Sequence, residues 1–380
     1  MNIELTEEQN LIHDAARIFA KEVVKPLAKK IDIEHYYPQE LIPKLAENGF
    51  LGINVTSEYQ GSGLDTVSYA LIIEELSRAC ASTSVIVSAH NSLCIYPIQT
   101  FGSPAQKTEY LPKLASGKLM GCFALSEPGT GSDAARQTCI SKKSGDKWIV
   151  NGVKNWITNA PIADICVLIT MGNAELKHKG INCFIVNLKT TPGITIGKKE
   201  DKLGICGSPT ASITFNDVEL SPTQMLGQEG DGFKIAMKTL DGGRIGIAAQ
   251  AVGIAQAALD DSLVYSKQRQ TFGKFISQHQ SIQNYLAEMS CQIDAARLLT
   301  IHAAKLKDNN LPYSKNAAQA KLFASEAAMF CTSKGIQIHG GYGYVKDFNV
   351  ERYYRDAKIT EIYEGTSEIQ KLVIASSLLE

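Results

Sequence analysis

The sequence predicts an α+β protein, mostly α, in the order helical, β, helical, with parts at residues 1–120, 121–226 and 227–380. Three observations predict it. Apolar residues recur at helical spacing up to about residue 120. Short β-rich runs between Gly, Asn, Asp and Pro turns fill the next stretch of about 100 residues. Helical spacing then returns and persists to the end of the chain.

The first helix opens at Thr6, where Gln9 three residues later completes a capping box, and Leu11, Ile12, Ala15, Ile18, Phe19 and Val23 follow at helical spacing before Pro26. Further helices are expected near 39–48, 66–88 and 105–116, making the first part an N-terminal α-helical domain. From Gly121 the runs 147–150, 153–158, 164–170, 181–186 and 211–215 alternate with turn formers. No helical segment separates them, so a middle antiparallel β-sandwich or barrel domain is expected rather than β-α-β units. After the glycine-rich turn at 227–232, helix resumes. Ile282, Leu286, Met289, Ile293, Ala296 and Leu299 form one apolar stripe suited to a C-terminal four-helix-bundle-like domain.

Composition narrows the function. With 38 Lys+Arg against 39 Asp+Glu, the net charge is −1, too little Coulomb attraction for a nucleic-acid-coating protein or one held to anionic lipid. The nine cysteines lie at least 14 positions apart, which suits buried free thiols in a reducing compartment better than a zinc knuckle or redox pair. The start, Met1 to Glu8, is acidic and lacks the order of a signal or transit peptide, and no apolar run approaches a membrane span. A soluble protein of the bacterial cytoplasm is therefore expected, or of the mitochondrial matrix if it is a processed eukaryotic form. There is no phosphate loop, no strand–Gly-x-Gly-x-x-Gly–helix and no His-Glu-x-x-His, and the seven histidines are isolated. No metal site is expected, and any dinucleotide must be held without a Rossmann unit.

Five segments carry chemistry. Residues 123–133, Phe-Ala-Leu-Ser-Glu-Pro-Gly-Thr-Gly-Ser-Asp, leave a strand and turn on Pro and two glycines; they read either as a polar turn with an Asp cap or as a donor array for a heterocycle or phosphate. In Lys154-Asn155-Trp156-Ile157-Thr158-Asn159, strand alternation puts Trp156 and Thr158 on one face, either as core or as a ring and a hydroxyl presented to a planar ligand. Gln337 to Tyr344 holds three glycines in four positions, a helix stop or a cofactor approach. Asp241-Gly242-Gly243-Arg244 offers a helix-surface ion pair or a grip on a phosphate or amide-rich arm. In the last segment, residues 362–370, Ser367 with Gln370 reads as a capping box, so Glu364 stands just before a final helix. It is either a carboxylate favoured by the helix dipole or a base on a short loop beside Gly365.

In this order and at these separations the segments resemble the acyl-CoA dehydrogenase family, closest to its short-chain (butyryl-CoA) branch. Residues 124–133 resemble its first signature; Gln337, Gly340, Gly341, Gly343, Tyr344, Asp347, Arg352 and Asp356 resemble its second; and Tyr-Glu-Gly-Thr stands at 363–366. The short-chain likeness lies in 81–88, 91–93, 198–204 and 239–247. The family's pattern usually places a small residue where this chain has Arg136, which bears on local loop packing.

The resemblance implies a flavoprotein, commonly a tetramer, that holds FAD non-covalently, oxidises an acyl-CoA thioester to the trans-2-enoyl-CoA and passes electrons to an electron-transferring flavoprotein. It implies Glu364 as the base that removes the α-proton while the β-hydrogen leaves as hydride to flavin N5. Gly243 occupies the place where some relatives carry their base. Phe123, Leu125, Ser126, Ser132, Trp156 and Thr158 match flavin-contacting positions. Arg269, Thr271, Phe272, Gln280, Gln337, Gly340 and Gly341 match those that hold the ADP half across a subunit interface, and Thr366 and Glu368 match cofactor contacts beside the base. Ser132, Asp241, Arg244 and Gly365 match positions touching the CoA thioester or pantetheine arm. Branched short-chain substrates, an oxygen-using oxidase and a non-catalytic flavin-binding protein are the alternatives.

Overall fold

The computed structural model describes residues 4–379; residues 1–3, the opening of the acidic start, and residue 380 lie outside the described residues. The chain opens with seven α-helices: α1 (Glu7–Phe19), α2 (Ala28–Ile33), α3 (Leu41–Glu47), α4 (Thr66–Ala79), α5 (Ala81–Ser88), α6 (Tyr96–Phe101) and α7 (Pro104–Ala115). The Thr6 box forms as expected: the Gln9 N–H donates to Thr6 Oγ1 at 3.2 Å and the Thr6 N–H to Gln9 Oε1 at 3.0 Å. The single stretch expected over 66–88 is two helices, because Cys80 is extended (φ −158°, ψ 106°) and closes α4 through its N–H to the Leu76 carbonyl.

The middle of the chain is a seven-stranded sheet of β1 (Gly121–Ala124), β2 (Ile140–Ser144), β3 (Lys147–Thr158), β4 (Ile165–Met171), β5 (Ile181–Asn187), β6 (Ile194–Ile196) and β7 (Thr210–Leu220). Four of its pairings are antiparallel ladders, whereas β1 runs parallel to β4 from Gly121↔Ile165 to Ala124↔Leu168. The β2–β3 hairpin between them lets the chain re-enter beside β1 in the same direction. Strand alternation divides β4 between two cores. Ile165, Val167 and Ile169 pack with helical residues such as Ile95, Ile98 and Ile235, while Cys166 and Leu168 pack with Trp148, Phe184 and Ile213 inside the curled sheet.

Helix then returns as α8 (Gly232–Gln268), the hairpin β8 (Gln270–Thr271) and β9 (Lys274–Phe275), and α9 (Gln280–Asp308), α10 (Ser314–His339), α11 (Val350–Lys358) and α12 (Ser367–Leu379). Of the apolar stripe on α9, Met289, Ile293 and Ala296 are buried, and Ile282, Leu286 and Leu299 pack partly buried against the same core. That core is shared: Phe19, Leu45 and Ile72 belong to it together with Ile254, Ala328 and Tyr353. α8, at 37 residues, is about 55 Å long and lies between both helical sets. Its glycines admit neighbours: a Cβ at Gly253 would lie 2.2 Å from the Glu74 carbonyl oxygen of α4. All nine cysteines are free, and eight of them are buried. Among the described residues no helix is long and apolar enough to cross a membrane.

Candidate active site

The site begins with a short turn before α12. Glu364 (φ +52°) and Gly365 (φ +92°) are both left-handed, so the chain doubles back between Tyr363 and the helix start. The cap differs from the expected one. α12 starts at Ser367, which puts the Ser367 hydroxyl inside the first turn, and Thr366 Oγ1 instead accepts the Ile369 N–H at 3.4 Å. Gln370, expected to complete the box, donates through Nε2 to the Gly365 carbonyl at 2.8 Å and the Glu364 carbonyl at 3.2 Å. Lys321 of α10, fully buried, donates to the Gly365 carbonyl at 2.7 Å.

The turn drives the Glu364 side chain against α8. A Cβ built on Gly243 would lie 1.9 Å from Glu364 Oε2 and 3.2 Å from Leu93 Cδ2, so the missing side chain of Gly243 is the space the carboxylate uses. Glu364 Oε2 is out of solvent and has no hydrogen-bond partner among the described residues. Burial pushes its pKa up to about 7, and the Lys321 and Arg244 charges hold it from rising further. The enclosure of this carboxylate is built into the fold of the chain itself. Beside it, Arg244 Nη1 donates to Asp241 Oδ1 at 2.6 Å, and Ser314 Oγ donates to the same oxygen at 2.8 Å. The pair is not a helix-surface ion pair: Arg244 is buried, and its Nε has no hydrogen-bond partner among the described residues.

A second group of predicted residues lies on the rim of the sheet. Phe123 and Leu125 are buried in the apolar cluster against which Leu93 packs, linking this rim to the Glu364 chamber. The runs expected at 147–150 and 153–158 are one strand, β3, whose ladder shifts register between Lys154 and Ile157. Trp156 sits in that bulge with φ +56° and is 57% exposed; Thr158 is half-buried, and Ile157 between them faces the core. The Asn155 N–H to the Ser126 carbonyl at 2.8 Å brings the two segments together. Ser132 is exposed on the loop after β1.

That loop is held by a buried pair with no counterpart in the sequence reading. Lys154 Nζ donates to Glu127 Oε1 at 2.7 Å and to the Leu125 carbonyl at 3.0 Å, and also to Gln137 Oε1. The other Glu127 contacts are the N–H groups of Thr138 at 2.6 Å and Cys139 at 3.0 Å and the Thr138 hydroxyl. Burial works against the Glu127 charge, but Lys154 and these donors outweigh it and hold the carboxyl below its usual range. The available signal was a lysine at an inward-facing strand position. No spacing rule identified Lys321, whose partner is a carbonyl 44 positions away, and the spacing that picked out Gln370 gave it a different partner from the Gly365 carbonyl.

A third group lines a cleft of about 620 Å³, where Arg269, Thr271, Gly340 and Gly341 meet Tyr265, His339, Tyr342 and Asp347. Nothing lies within 4 Å of a Cβ placed at Gly340 or Gly341, so their backbone faces open space. The other residues expected with them point outward: Phe272 is 96% exposed at the hairpin tip, and Gln280 and Gln337 are also exposed. Glu368 is exposed in the first turn of α12. The open cleft, the uncovered Trp156 ring and the unpartnered Arg244 Nε fit an extended, partly aromatic, polyanionic ligand set.

Three family models match the chain, described as the N-terminal, middle and C-terminal domains of acyl-CoA dehydrogenase, over residues 6–118, 122–218 and 230–379. The mitochondrial short-chain specific acyl-CoA dehydrogenase of Bos taurus is 49% identical over 379 residues, covering 100% of this chain and 92% of its own. The solved structure of butyryl-CoA dehydrogenase from Megasphaera elsdenii superposes with a TM-score of 0.98 at 45% identity, covering 100% of both chains. A structure from work on the electron transferring flavoprotein of Acidaminococcus fermentans and flavin-based electron bifurcation does so at 0.98 and 47%, again over 100% of both chains.

Proposed function

Since the chain belongs to the acyl-CoA dehydrogenase family and is an FAD-dependent oxidoreductase, we propose that it oxidises short-chain, butyryl-CoA-like thioesters to trans-2-enoyl-CoA with Glu364 as the base. The observation that carries this reading is the enclosed Glu364 carboxylate, its Oε2 unpartnered and its pKa raised to about 7. An α-proton of a thioester is weakly acidic, and a solvated carboxylate is too weak a base to remove it. A desolvated one whose pKa lies near the working pH is far better matched.

Bound FAD supplies the acceptor for the hydride that leaves the β-carbon. The chain's own residues do the rest. Glu364 Oε2 takes the α-proton, and the Glu364 backbone N–H, on its left-handed turn, donates to the thioester carbonyl as negative charge develops there. Arg244, oriented by Asp241, keeps Nε for the pantetheine arm, with Ser132 and Gly365 along the same path. Phe123, Leu125, Ser126, Trp156 and Thr158 would hold the flavin ring, with Thr366 and Glu368 as further cofactor contacts. The cleft of Arg269, Thr271, Gly340 and Gly341 takes the ADP half. Phe272, Gln280 and Gln337, facing outward, reach the cofactor of a second copy in a homotetramer, which also covers Tyr344, 86% exposed. Electrons pass on to an electron-transferring flavoprotein, a reading supported by the Acidaminococcus likeness.

The test is anaerobic reduction. Butyryl-CoA bleaches the flavin of the wild-type protein. Glu364→Gln keeps the flavin and loses the bleaching by 10²-fold or more, on the order of what a positioned base contributes. Bleaching at the wild-type rate in Glu364→Gln removes Glu364 from the role.

A further inference from the structure

A non-glycine residue held left-handed costs about 1 kcal/mol, and Glu364 is one, so its turn must be fixed by its surroundings. Two side chains fix it. Gln370 of α12 and Lys321 of α10 converge on the Gly365 carbonyl at 2.8 and 2.7 Å from different elements. A neutral donor would satisfy that carbonyl with far less desolvation than an ammonium. Yet position 321 carries a lysine that is 0% exposed, on the opposite side of the turn from solvent.

The charge finds its reason in what faces it. Around the Glu364 carboxylate stand Lys321 from α10 and Arg244 from α8, with Tyr69 from α4 and Tyr363 from the preceding loop. Glu361 and Glu368 also lie in the field of Lys321. Tyr69 is hydrogen-bonded to Ser88, and Tyr363 to Gln250, so neither phenol is committed to the carboxylate. Arg244 is committed to Asp241 at 2.6 Å. Glu361 is paired with Lys358 at 2.5 Å, and Glu368 is exposed. Lys321 is thus the buried cation beside the turn whose charge no carboxylate takes up at ion-pair distance among the described residues.

We propose that Lys321 is a positioning residue for the base: from inside the bundle it clamps the Gly365 carbonyl so that Glu364 stays aimed at Gly243, and its charge favours the ionised form of that carboxylate against the effect of burial. The proposal rests on Glu364 being the base. Its two parts are separable, because the clamp needs a donor and the field needs a cation.

The experiment compares FAD-loaded wild type, Lys321→Met and Lys321→Arg in the pH dependence of kcat/KM for butyryl-CoA, with flavin content and melting temperature as controls. Lys321→Met is expected to move the acid limb upward by about one pH unit, a tenfold loss on that limb, and Lys321→Arg to return it toward wild type. An acid limb that stays in place in flavin-loaded Lys321→Met overturns the proposal, even if the rate and melting temperature fall, because lost packing alone does not move an ionisation. Should Lys321→Met not fold, Lys321→Gln, which keeps an N–H donor and removes the charge, carries the same test. Failure of the base assignment shows up separately, as flavin bleaching in Glu364→Gln.

Discussion

Gly243→Ala adds one methyl in the middle of a helix, and its consequences for stability and for activity point in opposite directions. The new Cβ would stand 1.9 Å from Glu364 Oε2, 2.9 Å from its Cδ and 3.2 Å from Leu93 Cδ2. The atoms it meets are the ends of flexible side chains, so the carboxylate swings away by about 1 Å and the backbone keeps its course. Alanine is also the better helix former by about 0.8–1.0 kcal/mol, which offsets the crowding. A displacement of about 1 Å at a reacting group, however, can lower a rate by on the order of 10²-fold, roughly 2.7 kcal/mol of barrier. The variant is therefore expected to bind FAD, to melt at or slightly above the wild-type temperature, and to be reduced by butyryl-CoA about 100-fold more slowly in an anaerobic stopped-flow experiment. Wild-type reduction by a folded Gly243→Ala protein would refute the argument, since the carboxylate could not then be working from the space beside Gly243.

Two further predictions concern the scaffold. His90 is buried, accepts the Gly121 N–H at Nδ1 (3.0 Å) and bonds the Leu114 carbonyl through Nε2 (3.0 Å), and burial lowers its pKa from 6.5 to about 4. Below pH 6.5 the unfolded chain takes up a proton that the folded one refuses, so stability falls with pH down to about 4; between pH 7 and 5 the loss is about 2 kcal/mol. Urea midpoints at the two pH values measure it, and an equal pH dependence in His90→Gln would exclude His90 as the source. Lys154→Met leaves Glu127 buried without its cation and is expected to destabilise the fold by roughly 3–5 kcal/mol, whereas Lys154→Met with Glu127→Leu recovers much of the loss. Additive losses in the double variant, read by thermal melting, would show that the two charges do not act as a pair.

Local chemistry made much of this legible before any coordinates. The Thr6–Gln9 box, the α9 stripe and the change of period at Gly121 each depend on residues within a few positions of one another, and each appears in the structure as read. The errors are also local in kind. Thr366 caps α12 in place of Ser367 because hydroxyls stand at both positions and the helix starts one residue earlier than the box implied. The strand break between 150 and 153 is absent because Gly152, read as a turn, sits inside a bulged ladder pairing with Phe215.

Residue types and their order determine the helical, β, helical sequence of elements and the family likeness, because both are written in short-range patterns. They also single out Glu364, but not the enclosure of its carboxylate. That depends on an empty Cβ at Gly243, 121 positions earlier, and on Lys321 reaching the Gly365 carbonyl from α10. These contacts join residues with no spacing relation, and their energies exist only once water has been excluded. Burial, which sets the carboxylate's pKa, is a property of the packed whole, and only the tertiary structure decides it.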